Sequence, residues 1–321
     1  GGGAARIVDG RVEVVRTGEG LAHDKVRVML RTAGGDLWFG TSGGGLSRLR
    51  DGRFQSFGEA DGLGDLEIRS LFEDRDRVLW VGTRDGLYRL RDDDRLEAVA
   101  ADVLAGETVN VIAQDRRGRL WIGTREGGAF ALDGSRVVRY RKSDGLADDS
   151  VLSILEDREG SLWFGTYGGG LSRLSTEAIH NWQQQEGFDY ANVYAIVEDS
   201  TGAFWFGTNG GGLSRLADGR FARFTTADGL SHDKVVAAME DRDGALWFGT
   251  LEGVTRYRDG RFSTLRVADG LSHEIVYHIA QDRRGDLWFG TFDGLTRRTA
   301  DGRFLHYGPG DGLASERVNF I

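Results

Sequence analysis

The chain has 321 residues, of which 40% are hydrophobic, 50 are glycine and one is proline, and its formal net charge is −9. This composition supports a sizeable core and differs from that of disordered chains, because Trp, Phe, Leu, Ile and Val recur between the glycines. There is no concentrated basic run and no cysteine, and no apolar stretch approaches the roughly 20 residues of a membrane span. These features argue against a nucleic-acid partner, direct insertion into a membrane, a disulfide framework and thiol chemistry.

The first predicted elements belong to a part-repeat. Residues 1–14 (GGGAARIVDGRVEV) align with residues 43–56 (GGGLSRLRDGRFQS), so we assign residues 1–16 to strands C and D of a repeat. Because the sequence starts inside a repeat, without an initiator methionine or a signal-peptide pattern, we expect a mature or excised piece of a longer protein.

Seven complete repeats are predicted over residues 17–309. A strict period indicates a repeat architecture, and tryptophans recur here every 41 or 42 residues, at Trp38, Trp80, Trp121, Trp163, Trp205, Trp247 and Trp288. Each repeat predicts four strands: strand A, such as Val151–Asp157, strand B (LWFGT), strand C (GLSRL) and strand D (RFQSF).

Glycines mark two positions of the repeat. The turn between strands A and B has a glycine in every complete repeat except the second, where Arg77 replaces it. This position suits a hairpin residue with positive φ. The glycine of strand B, such as Gly40, indicates a close approach by another backbone.

The repeats together predict the fold class. No segment has useful helical periodicity, and one repeat of four strands cannot bury both of its faces. Repeats stacked around an axis can do so, which predicts an all-β protein, with one β-propeller domain of four-stranded antiparallel blades over residues 1–321. Residues 310–321 align with strand A and the loop before it, which we call the lead-in loop. We favour seven blades over the alternative of eight, in which the two ends share the eighth.

The repeat pattern DGL…V…I.ED..G.LWFGT..GGL.R resembles that of the two-component regulator propellers over nearly the whole chain. The resemblance implies an extracytoplasmic, periplasmic sensor domain of a bacterial hybrid histidine kinase or diguanylate cyclase. It also implies an output signalling module outside this chain, in which we find no kinase, cyclase or DNA-binding segment. The lead-in sequences depart from the family's usual DGLPSN and read GLAHDK, GLADDS or GLSHEI.

Positions that differ between repeats are candidates for ligand binding, because packing positions should repeat. Two such sets lie in the B–C loops, between strands B and C, and at the second residue of strand A; in a propeller both lie on one face. The candidates are Arg84, Asp85, Tyr167, Asn209 and Phe292 in the loops, Arg27, Arg69, Tyr194 and Tyr277 in strand A, and Tyr190 in the fifth lead-in sequence. They suit a small polar or glycan-like ligand; the alternative is that they form turns and fill space beside a wet channel.

Three histidines, His23, His232 and His273, occupy one equivalent lead-in position. They are candidates for ligand contact, or they hydrogen-bond the turn. Zinc needs ligand nitrogens about 2.0–2.1 Å from one ion, and equivalent points on adjacent blades should lie several times farther apart. We therefore expect no metal and no cofactor.

The segment Ser175–Tyr194 departs most from the repeat and contains Trp182, Gln183 and Gln184. We consider these three residues candidates for a partner contact, with sequence drift as the alternative, and a homodimer is one partnership to test.

No catalytic motif of the GxSxG, HExxH or phosphate-loop type occurs. We therefore predict a non-enzymatic sensor propeller that binds a ligand. The alternatives are an interaction scaffold without a small ligand and a propeller lyase or hydrolase, because the fold alone does not decide.

Overall fold

The computed structural model describes residues 2–8, 10–175, 178–182, 192–313, 315, 317, 318 and 321. Within these residues it contains seven antiparallel sheets of four strands, one sheet of two strands and a single four-residue α-helix. The all-β fold class is therefore confirmed: the chain is a β-propeller with seven four-stranded blades.

The chain divides into two compact units, and the first comprises residues 1–154 with 312–314. Its strands β1 and β2 form the two-stranded sheet, and β3–β6, β7–β10 and β11–β14 form three blades in sequential order. The bounds are β1 Ala4–Val8, β2 Arg11–Val15, β3 Val26–Arg31, β4 Leu37–Thr41, β5 Leu46–Arg50, β6 Arg53–Phe57, β7 Ile68–Glu73, β8 Leu79–Thr83, β9 Gly86–Leu90, β10 Leu96–Val99, α1 Ala101–Leu104, β11 Val109–Gln114, β12 Leu120–Thr124, β13 Ala129–Asp133 and β14 Arg136–Tyr140.

The second unit comprises residues 155–311 with 315–321, and the division falls within β15. Its blades are β15–β18, β19–β22, β23–β26 and β27–β30. The bounds are β15 Val151–Glu156, β16 Leu162–Thr166, β17 Leu171–Leu174, β18 Ile179–Trp182, β19 Val193–Glu198, β20 Phe204–Thr208, β21 Leu213–Ala217, β22 Arg220–Phe224, β23 Val235–Glu240, β24 Leu246–Thr250, β25 Gly253–Arg258, β26 Arg261–Leu265, β27 Val276–Gln281, β28 Leu287–Thr291, β29 Leu295–Arg298 and β30 Phe304–Tyr307.

Short 3-10 turns precede six lead-in loops: Thr17–Glu19, Glu59–Asp61, Lys142–Asp144, Thr226–Asp228, Val267–Asp269 and Pro309–Asp311. The glycine after each one has positive φ, between 95° and 119°. Each of these six turns places the lead-in loop that follows it at the end of a blade.

The glycine positions behave largely as the sequence predicts. The glycines between strands A and B have φ between 76° and 98°, and Arg77 adopts the same left-handed region with φ 68°. At the strand B position the prediction of a backbone approach is confirmed at Gly290, where a Cβ would lie 2.8 Å from the carbonyl oxygen of Val318, but was wrong for Gly40. A Cβ there would lie 2.5 Å from Ile68 Cγ2 and 2.6 Å from Val28 Cγ1, so it is β-branched side chains of two successive A strands that require glycine.

Trp182 fits the repeat better than its sequence context suggests. Its indole stacks on that of Trp163, with ring centroids 5.2 Å apart and an interplanar angle of 17°. It stands 19 residues after Trp163, and in four other blades an aromatic ring at the same spacing packs on the repeat tryptophan of its own blade. These pairs are Trp38–Phe57, Trp121–Tyr140, Trp205–Phe224 and Trp288–Tyr307.

Candidate functional site

The second residue of strand A is a β-bulge. The antiparallel register between strands A and B shifts around this residue, for example between Ile68 and Ser70 on either side of Arg69. A bulge residue is left out of the hydrogen-bonded pairing between the strands, and its side chain therefore points in a different direction. The variable second position of strand A coincides with the bulge in six blades, at Arg27, Arg69, Asn110, Tyr194, Val236 and Tyr277.

The B–C loops lie beside the lead-in loops, as predicted. Isolated bridges join a B–C residue to the last lead-in residue of the next blade, at Ser42–Glu67, Tyr167–Asn192 and Asn209–Lys234. The amide of Arg84 also donates to the carbonyl of Glu67, within one blade, over 3.1 Å. The variable positions of the B–C loops and those of strand A therefore lie at the same end of the blades within each unit.

In the first unit, three of the predicted residues converge on one carboxylate. Glu67 Oε1 lies 3.3 Å from Arg27 Nη1 and 3.1 Å from Arg69 Nη2. Arg84 Nη1 lies 3.9 Å from Glu67 Oε2, and its Nε lies 3.5 Å from Asp65 Oδ2. We call Arg27, Arg69 and Arg84 the arginine cluster.

Arg69 is the most enclosed member of the arginine cluster. Its side chain is 21% exposed, against 36% for Arg27 and 64% for Arg84. Burial lowers the pKa of the Arg69 guanidinium, and repulsion from Arg27 adds to this effect against the attraction of Glu67. The buried Nε of Arg69 donates no hydrogen bond within the described residues.

The remaining candidate of the first unit's B–C loops has a structural partner. Asp85 Oδ1 accepts a hydrogen bond from the amide of Gly106 over 2.5 Å. This bond ties the B–C loop to the lead-in loop of the next repeat.

In the second unit, the predicted residues are mainly aromatic. Tyr167 is 54% exposed and Phe292 is 44% exposed, which makes them two of the most exposed large apolar side chains described. Burial raises the pKa of the Tyr194 hydroxyl, and Tyr167 adds to the rise. Lys234 Nζ lies 6.0 Å from the centroid of the Tyr194 ring, and Lys234 is bridged to Asn209.

Tyr277 is covered on one face by a guanidinium group. Arg317 Cζ lies 4.4 Å from the centroid of its ring, within cation–π range. Phe292 is close to His273, with ring centroids 5.3 Å apart. Of the predicted aromatic residues that the structure describes, Tyr167 thus presents the most open face.

The three histidines hydrogen-bond their own turns. The amide two residues later donates to Nδ1 in each case, over 2.9 Å for His23, 2.8 Å for His232 and 2.9 Å for His273. Asp65 and Asp148 accept the equivalent bond in other repeats. The histidines therefore stabilise the lead-in turns, and their contact with a ligand stays a prediction.

Several predicted residues are not positioned. Tyr190, Gln183 and Gln184 lie outside the described residues. Trp182 is half-buried in its own blade, and its role in a partner contact stays untested. Sequence reasoning missed Glu67 and Lys234, although both immediately precede strand A, next to the predicted bulge column.

The described part of the chain contains no group of three or more His, Cys, Asp or Glu side chains that could hold a metal ion. Among the same residues, no helix has the length and apolar character needed to cross a membrane.

Comparison with known proteins identifies the repeat. Six segments match the family model described as the two component regulator propeller: residues 62–85, 104–126, 145–168, 187–210, 229–252 and 270–293. Comparison with curated proteins finds no match.

Comparison with solved structures finds matches at low sequence identity, and those with TM-scores above 0.5 show the same fold. The extracellular domain of the putative hybrid two component system BT3049 from B. thetaiotaomicron is 21% identical, over 98% of this chain and 55% of that one, with a TM-score of 0.42. Virginiamycin B lyase from Staphylococcus aureus is 16% identical, over 75% and 84%, with a TM-score of 0.59. The computationally designed Ika8 protein is 15% identical, over 91% and 88%, with a TM-score of 0.67. The chain spans about half the length of the extracellular domains it matches.

Proposed function

Since this chain belongs to the two-component regulator propellers, we propose that it is a non-enzymatic sensor domain that binds a small polar or glycan-like ligand carrying an acidic group. The ligand would bind at the lead-in and B–C loops. We place the domain outside the cytoplasm, as in the sensors of this family, with its output module beyond this chain.

The arginine cluster is the observation that carries the proposal. Three guanidinium groups of the first unit share the Glu67 carboxylate. Guanidinium groups bind carboxylates and sulfates through paired hydrogen bonds that match the planar fork. A ligand anion at this cluster would reduce the repulsion between Arg27 and Arg69.

The second unit contributes support of a different kind. Tyr167 and Phe292 expose aromatic surface on B–C loops. Tyr combines a flat apolar face with a hydroxyl and suits a sugar ring or a similar group.

A thermal stabilisation screen tests the proposal. A ligand that binds only the native state raises apparent stability by about 2.7 kcal/mol at 100 times its dissociation constant. The screen compares oligosaccharides of equal length that carry a uronic-acid carboxylate, a sulfate or no acidic group. We expect an acidic member to raise the unfolding midpoint and its neutral counterpart to raise it less.

The other outcomes separate the alternatives. Equal stabilisation by neutral and acidic members would support a sensor but reject the arginine cluster as the site. No stabilisation by any member, together with capture of a protein partner, would favour a scaffold. Conversion of a stabilising compound into products would favour a lyase or hydrolase.

A further inference from the structure

Six of the seven complete blades have an arginine on strand C directly opposite the repeat tryptophan of strand B. Opposite residues of an antiparallel pair lie on the same face of the sheet. In five of these blades the guanidinium lies over the indole within cation–π range, with Cζ 5.2–5.5 Å from the ring centroid. The five are Arg48, Arg173, Arg215, Arg256 and Arg297, and the sixth arginine is Arg89. We call these six residues the indole arginines.

Four of the indole arginines have a carboxylate partner within the chain. The ion pairs are Arg48–Asp94, Arg89–Glu97, Arg173–Glu159 and Arg297–Asp286. The carboxylates come from different elements, since Asp94 lies in the next blade and Glu97 lies on strand D of the same blade. In these four blades the protein itself therefore provides an anion for the guanidinium beside the repeat tryptophan.

Arg256 differs from these four arginines. Ala245 stands at the position from which Asp286 pairs with its arginine in the last blade, and both residues donate their amide to the aspartate of the preceding turn. Ser263 lies opposite Arg256 on strand D, where Glu97 provides the carboxylate in the second blade. Arg256 forms no ion pair or hydrogen bond with the described residues. The two nearest positions that hold acids elsewhere are thus neutral here.

A second arginine reaches Trp247 from the next blade. Arg298 Cζ lies 5.9 Å from the centroid of the Trp247 ring. The equivalent residue one blade earlier is Tyr257, whose ring centroid lies 4.7 Å from that of Trp205. This position therefore faces the tryptophan of the preceding blade, and in the last blade it carries a guanidinium in place of an apolar side chain. Arg298 also has no ion pair among the described residues.

Arg256 and Arg298 face the same layer between two successive blades of the second unit. Both side chains are half-buried, so their charges are screened less than on an open surface and repel each other. Arg298 Nη2 lies 3.8 Å from the position that a Cβ on Gly302 would take. Gly302 lies in the turn between strands C and D, so this pair of arginines lies at the other end of the blades from the lead-in loops.

We propose that Arg256 and Arg298 bind a tetrahedral oxyanion, sulfate or phosphate, in the layer beside Trp247. One carboxylate neutralises one indole arginine elsewhere in the chain, so two arginines in one layer suit a doubly charged anion. Guanidinium groups bind such oxyanions through paired hydrogen bonds, and the Ser263 hydroxyl lies on the same face as Arg256. The site is separate from the arginine cluster and independent of the proposed ligand.

Equilibrium dialysis of the whole chain against radiolabelled sulfate or phosphate tests the proposal. We expect one bound ion per chain that depends on Arg256 and Arg298, and a saturable rise in the unfolding midpoint beyond that given by sodium chloride at equal ionic strength. Saturation separates a bound ion from the general stabilisation by sulfate, which grows with concentration. Methyl phosphate binding as inorganic phosphate does would support the site with an ester as the source, and binding of the inorganic ions alone would support it with the free ion.

Arg298→Leu is the first variant, because five other complete blades have leucine at this position and pack it. It should raise the dissociation constant of sulfate about tenfold or more, since a charged donor is lost, and Arg256→Gln should do the same. Arg215→Gln is the matched control. It removes the same charge from over Trp205, where Tyr257 stands in place of a second arginine, and it should leave binding unchanged.

The remaining outcomes reject the site. No saturable binding, or binding that survives both Arg298→Leu and Arg256→Gln, would show that these arginines hold no anion. Equal loss in Arg215→Gln would show a response to net charge alone. Arg69→Gln should retain this ion, and its loss there would assign the ion to the arginine cluster. If Arg298→Leu does not fold, the comparison of Arg256→Gln with Arg215→Gln decides.

Discussion

The indole Nε1 of Trp163 donates a hydrogen bond to Asp157 Oδ2 over 2.8 Å, and the other carboxylate oxygen accepts from the amide of Ser161 over 2.7 Å. One aspartate thus closes the turn between strands A and B and satisfies the buried indole of strand B. The same Trp–Asp bond occurs in five further blades, at Trp80–Asp74, Trp121–Asp115, Trp205–Asp199, Trp247–Asp241 and Trp288–Asp282. The first repeat has Thr32 at the aspartate position.

Asp157→Ala should lower the free energy of unfolding by about 1–3 kcal/mol, because it leaves a buried indole N–H without an acceptor. Denaturant unfolding measures the loss. Glu159→Ala is the matched control, since Glu159 lies in the same turn with its side chain 80% exposed. The two variants should differ clearly; equal loss would show that the Trp163–Asp157 bond adds nothing.

Trp163→Ala should cost more, about 3–5 kcal/mol, since a buried aromatic side chain is removed. Trp163 is 1% exposed, and its ring centroid lies 4.7 Å from that of Phe204 in the next blade. The indole therefore fills the space between two blades as well as its own sheet. An unfolding midpoint equal to that of the unmodified chain would remove this packing role.

Arg77→Gly should stabilise the chain by about 1 kcal/mol, because it relieves a left-handed backbone that an L side chain adopts at a cost. The substitution loses only the exposed ion pair with Glu73, at 3.8 Å, which contributes little. Denaturant unfolding of Arg77→Gly and Arg77→Ala separates the effects. Alanine keeps the strain and should give no gain, so a gain for both variants would point to the arginine side chain instead.

His278 should make stability depend on pH. Burial lowers the pKa of its imidazole, so the unfolded chain binds this proton more readily than the folded one. The contribution of His278 to the free energy of unfolding is fully present above the pKa of histidine in the unfolded chain, about 6.5, and it decreases as the pH falls below that value. His278→Ala introduces the residue that Ala237 provides at the same repeat position. It should flatten the decline of the unfolding midpoint between about pH 7 and 5, the range in which a histidine titrates. An unchanged slope would assign the pH dependence to other groups.

The sequence predicted the blades more fully than the candidate site. Packing positions repeat every 41 or 42 residues, so Trp163 and its equivalents could be assigned without coordinates. The variable column of strand A was also found, but its cause was not, because a bulge depends on the pairing with strand B. Glu67 was missed because its importance arises from arginines in two different blades, which only the fold brings together.

For Trp182, by contrast, the sequence alone was enough to predict how the residue packs. The spacing of 19 residues from Trp163 matches the aromatic pairs of four other blades. This regularity was missed because the residues around Trp182 are irregular and lack the DG turn that precedes strand D in most other repeats. Comparing distances from the repeat tryptophan would have assigned it to packing within its blade.

Arg69→Gln should weaken binding of the acidic ligand identified in the stabilisation screen by about 1–3 kcal/mol, because a charged acceptor on the ligand would lose its partner. Tyr194→Ala tests the second unit by itself, and for a ligand whose ring stacks there we expect a loss of about 0.5–1.5 kcal/mol. Isothermal titration calorimetry measures both variants, whose stability should change less than that of Trp163→Ala.

The control must be an arginine whose side chain donates no hydrogen bond to a neighbouring blade. Arg158 and Arg242 do not qualify, since their Nη1 atoms each donate over 3.1 Å to a carbonyl of the next blade, at Ser200 and Arg283. Arg117 is exposed in the turn between strands A and B of the third complete repeat, in the same unit as Arg69. Arg117→Gln should bind the ligand as the unmodified chain does. Equal loss from Arg69→Gln and Arg117→Gln would show that the ligand responds to net charge alone and that the arginine cluster is not its site.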